Sequence, residues 1–100
     1  MDIIKRLDEM IIKGDEVLRT HVPNPPNLIG SPTLNEAMFG AWKTQTIAFL
    51  ESFLPQENAY LKEFRKSIDS AHSGTASKGI NLLKSIKEDY EKGYPLAELN

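Results

Sequence analysis

Residues 33–55 read TLNEAMFGAWKTQTIAFLESFLP, and this stretch decides the fold. Leu34, Met38, Phe39, Trp42, Ile47, Phe49, Leu50, Phe53 and Leu54 recur at separations built from three and four, as expected of a helix packed in a core. Thr33 with Glu36 three positions later matches a capping box, in which hydroxyl and carboxylate each satisfy an orphan backbone donor. Pro55 ends the segment, because its ring removes an N–H and clashes with the preceding turn. The stretch is the most apolar and aromatic of the chain, so a central helix is predicted over 34–54.

Towards the N-terminus, Ile3, Ile4, Leu7, Met10, Ile11, Val17 and Leu18 share one face of a helix predicted over 2–20. Gly14 interrupts that face at a cost of about 1 kcal/mol relative to alanine. Either the helix bends there or another backbone approaches closely, the second being the commoner reason. Between the two helices lies HVPNPPNLIGSP, residues 21–32, where Pro23, Pro25, Pro26 and Pro32 force an extended connection. Val22, Leu28 and Ile29 are expected to lay it across the other helices.

Towards the C-terminus, a third helix is predicted over 56–71, with Tyr60, Leu61, Phe64, Ile68 and Ala71 on one side. HSGTAS, residues 72–77, holds turn formers and no large apolar residue, and reads as a loop. A fourth helix follows over 78–92, with Ser77 as its N-cap and a stop at Lys92-Gly93 and Tyr94-Pro95. The fold expected is all-α: one domain over residues 1–100, of three or four amphipathic helices in a bundle with one long Pro-rich extended connection.

One hundred residues, 40% of them hydrophobic and 26% charged, suffice for a single core. Twelve basic against fourteen acidic residues leave a net charge of -2, without the basic excess of a nucleic-acid binder. The absence of cysteine excludes disulfides, thiolate zinc sites and cysteine nucleophiles. The opening MDIIKRLDEMIIKGDE interleaves charge with apolar residues and so is neither a signal peptide nor a membrane anchor. The cytoplasm is the compartment expected.

No constellation for catalysis, cofactor binding or metal binding stands out. His21 and His72 are the only histidines, and two ligands do not make a metal site. The neighbouring acids Asp8-Glu9, Asp15-Glu16 and Glu88-Asp89 diverge by about 100° on a helix. No glycine-rich loop follows a strand. Lys62, Arg65, Lys66, Lys78, Lys84 and Lys87 form a basic group, but acids are interspersed among them.

Two surfaces remain. Trp42 reads first as core; read instead as a ligand platform, it leads a set of ligand contacts with Lys43 and Tyr60. The apolar residues of the central helix run around its circumference, so Phe39, Trp42, Phe49 and Phe53 are expected to stay partly uncovered. They form a candidate interface for a homodimer or a protein partner.

Helix one with its Pro-rich continuation, AWKTQTIAFLESFLPQENAYLKEF at 41–64, and GINLLKSIKEDYEKGYPL at 79–96 resemble the N-terminal helical domain of a group of bacterial proteins of unknown function. In that group the domain is often followed by a HEPN-like nuclease or by a nucleotide-sensing or TIR-like effector, as in stress and antiphage systems. The resemblance implies a non-catalytic interaction or regulatory domain that docks on an effector or oligomerises. A sensor of a small nucleotide-like ligand is the alternative. A third reading takes Arg65 and His72, seven residues apart, as a nuclease pair on one helix face.

Overall fold

A computed structural model of the protein describes residues 2–20 and 34–93. Four helices lie among them: α1 (Ile3–Leu18), α2 (Glu36–Glu51), α3 (Ala59–Ser67) and α4 (Ser73–Glu91). Each packs on two others, α1 on α2 and α4, and α3 on α2 and α4, so an all-helical bundle closes around one core. The Pro-rich connection expected at 21–32 lies outside the described residues, as do His21 and Thr33.

Each helix starts where a short polar side chain or a turn satisfies orphan N–H groups. Asp2 Oδ1 accepts from the Lys5 N–H at 3.0 Å at the head of α1. Asn35 Oδ1 accepts from Met38 at 2.9 Å and begins α2, two residues after the threonine expected to cap it. Glu36 then occupies the first turn, where a carboxylate suits the helix dipole. Asn58 caps α3, its buried side chain accepting from the N–H groups of Tyr60 and Leu61. Gly93, with φ of +77°, follows the end of α4 in the left-handed region that a stop of this kind requires.

Two boundaries differ from the sequence reading. The third helix stops at Ser67 instead of Ala71. The segment read as a loop over 72–77 is mostly the first turn and a half of α4, which begins at Ser73 with His72 as N-cap. Thr75 Oγ1 accepts from the His72 N–H at 3.3 Å, and its hydroxyl proton is shared between the carbonyls of Ser70 and His72. These bonds fix the turn that apolar periodicity could not reveal.

The core is organised around Trp42, which is 2% exposed. Its indole Nε1–H donates to the Met10 carbonyl at 2.9 Å, one turn before Gly14 on α1. Phe39 and Phe64 meet its ring edge-to-face, each with centroids 6.0 Å away. A Cβ on Gly14 would fall 2.9 Å from Trp42 Cζ2, and one on Gly79 of α4 would fall 2.8 Å from Trp42 Cη2. The indole therefore lies between two glycines on two helices. What approaches Gly14 is a side chain and not the backbone expected there.

The apolar patch expected on α2 is not formed by the residues named for it. Phe39, Trp42 and Phe49 are buried and Phe53 is half-buried. The reason is that α2 is covered from three sides: α1 and α3 pack on it directly, and the Trp42 ring reaches Gly79 on α4. No helix among the described residues is long and apolar enough to cross a membrane.

Candidate functional site

The residues singled out as ligand contacts do not come together. Trp42 is core. Lys43 lies half-buried on a flank of α2 and enters no ion pair with another described residue. Tyr60, on α3, donates its hydroxyl proton to Asp89 of α4. That bond, with burial and the charges of Asp89 and Glu88, raises the Tyr60 pKa to about 12.

The sign of this shift fixes a testable outcome. A tyrosine whose folded pKa lies above its unfolded value of about 10 contributes stability below that pH and loses it as pH rises towards 12. Ultraviolet titration should show one of the three tyrosines ionising near pH 12, and Tyr60→Phe should remove that late component. A titration unaltered by Tyr60→Phe would break the link to Asp89.

Several concave regions remain, among them an open depression of about 370 Å³ on α4 lined by Gly74, Ser77, Lys78, Asn81, Leu82 and Ser85. Beside the start of α4, Ser67, Ser70, His72, Gly74, Thr75 and Lys78 line an open depression of about 490 Å³. Its polar atoms are occupied from within. Ser70 Oγ lies 3.0 Å from His72 Nδ1, Ser67 donates to Glu63 at 2.8 Å, and Lys78 Nζ pairs with Glu63 at 3.0 Å. Those two contacts, that from Ser67 first, hold the Glu63 carboxyl below its usual range. The Ser70–His72 contact is a local one across two residues, and His72 shows no carboxylate partner to orient it as a base.

Between α1 and α4 runs a charged groove whose ends are tied by Lys87–Asp8 at 2.8 Å and Lys92–Glu88 at 2.7 Å. Lys87 and Lys92 are thereby neutralised, whereas Lys84, on the same lining, enters no ion pair with a described residue. Between α1 and α2, Val17, Met38, Ala41 and the rim of Trp42 line a groove of about 200 Å³. That is below the roughly 300 Å³ at which ligand pockets usually begin.

Arg65 and His72 are likewise separated. Arg65 is on α3 and pairs with Glu51 of α2, whereas His72 caps α4 beyond the end of α3. They do not share a helix face, so the nuclease pairing read from their spacing is not formed. Among the described residues no group of three His, Cys, Asp or Glu side chains could hold a metal ion.

What remains is the outer face of α2, which the sequence reading did not single out. Ala37, Met38, Ala41, Thr44, Gln45 and Ala48 are all exposed there, Met38 to 40%. Between Glu36 and Glu51 the helix carries one charge, Lys43. On the other helices the exposed positions are charged more often than not, Lys5 and Glu16 on α1, Lys62 and Lys66 on α3, Lys78, Lys84, Glu88 and Glu91 on α4, while Ile12, Ala59, Gly74, Asn81, Ser85 and Tyr90 are exposed and uncharged. The signal for it in the sequence is this run of uncharged residues, interleaved with the aromatics of the core.

No family model matches the chain, and no curated protein or solved structure is significantly similar to it.

Proposed function

We propose that this is a non-catalytic helical interaction domain that docks on a protein partner through the outer face of α2. The observation that carries the reading is that six exposed side chains of that face, Ala37, Met38, Ala41, Thr44, Gln45 and Ala48, are uncharged in a chain that is 26% charged, with charge reaching only its borders, at Lys13 of α1 on Gln45 and at Glu51. A helix apolar around its whole circumference is ordinarily covered on every side, and α2 is covered on its inner sides only. Among the described residues, the depression beside the start of α4 is satisfied by bonds within the protein, and the groove between α1 and α4 leaves a single lysine, Lys84, without an ion pair. An effector domain, of the kind implied by the resemblance to bacterial stress and antiphage proteins, is the partner such a domain would regulate.

Because the chain has no cysteine, one introduced thiol reports its own surroundings. In cells producing the protein at its native level, Thr44→Cys on the α2 face should react with a maleimide several-fold more slowly than Asn81→Cys on α4. Both thiols should react alike once the protein is purified and diluted. Equal reactivity inside the cell would overturn the interaction reading.

A further inference from the structure

We draw no further inference here: the strongest candidate, the small-residue outer face of α2 with the groove of about 200 Å³ beside it between α1 and α2, carries nothing beyond the interaction reading, because nothing in the structure shows what covers it.

Discussion

Trp42→Ala should remove about 3–5 kcal/mol of folding stability, the cost of truncating a large buried aromatic. Trp42 touches all three other helices. Its Nε1–H donates to Met10 on α1, Phe64 of α3 packs on its edge, and Gly79 of α4 lies against the ring. No other side chain can expand into the space, because both flanking positions are glycine and the adjacent phenylalanines are held edge-on by their own helices. Against the 5–15 kcal/mol typical of a whole domain, the loss should appear as a large drop in the urea midpoint with little change in slope. At about 4–8 °C per kcal/mol for a chain of this length, it should lower Tm by about 15 °C or more. A loss below about 1 kcal/mol would show that the ring is not the centre of the core.

The prominence of Trp42 also marks where the sequence is a sufficient guide. Large apolar residues at helical spacing identify α1, α2 and the stripes of α3 and α4, because burying them is the largest favourable term in folding. The stop at Lys92-Gly93 is legible for a local reason: Gly93 takes a positive φ that other residues resist.

The start of α4 fails the same reading because packing against a large ring needs the opposite of a large residue. Ala76 and Gly79 are fully buried, yet their small size in HSGTASKG looks like the composition of a loop. Their helical state depends on Trp42, 37 residues before Gly79, which no local pattern contains. The candidate site was missed for a related reason. Counting the aromatics of α2 indicates surplus apolar surface but not its location, which depends on how many helices surround it. With three helices around it, α2 buries Phe39, Trp42 and Phe49 and exposes its small residues.

Gly79→Ala tests this complementarity, because its effect should change sign with the residue at position 42. In the wild type, the added Cβ would lie 2.8 Å from Trp42 Cη2 and 3.2 Å from atoms of Ile68 and Phe64. The indole cannot retreat, since it abuts Gly14 on its other side and is anchored by its bond to Met10. Overpacking of this kind costs about 1–3 kcal/mol and should outweigh or cancel the roughly 1 kcal/mol that alanine adds to helix propensity. In the Trp42→Ala background the closest contact is gone and only those with Ile68 and Phe64, at 3.2 Å, remain beside an open cavity. There, Gly79→Ala should stabilise by about 1 kcal/mol through propensity, and slightly more by filling part of the cavity. Trp42→Leu supplies a second background in which the relief is partial and the fold is safer. Gly40→Ala is the control: with open space around its Cβ, it should stabilise by about 1 kcal/mol in every background. Chemical denaturation of the double-mutant cycle should therefore give a coupling of about 1–3 kcal/mol between positions 42 and 79 and none between 42 and 40. Stabilisation by Gly79→Ala in the wild-type protein as large as in Trp42→Ala would mean that the glycine is not there to admit the ring.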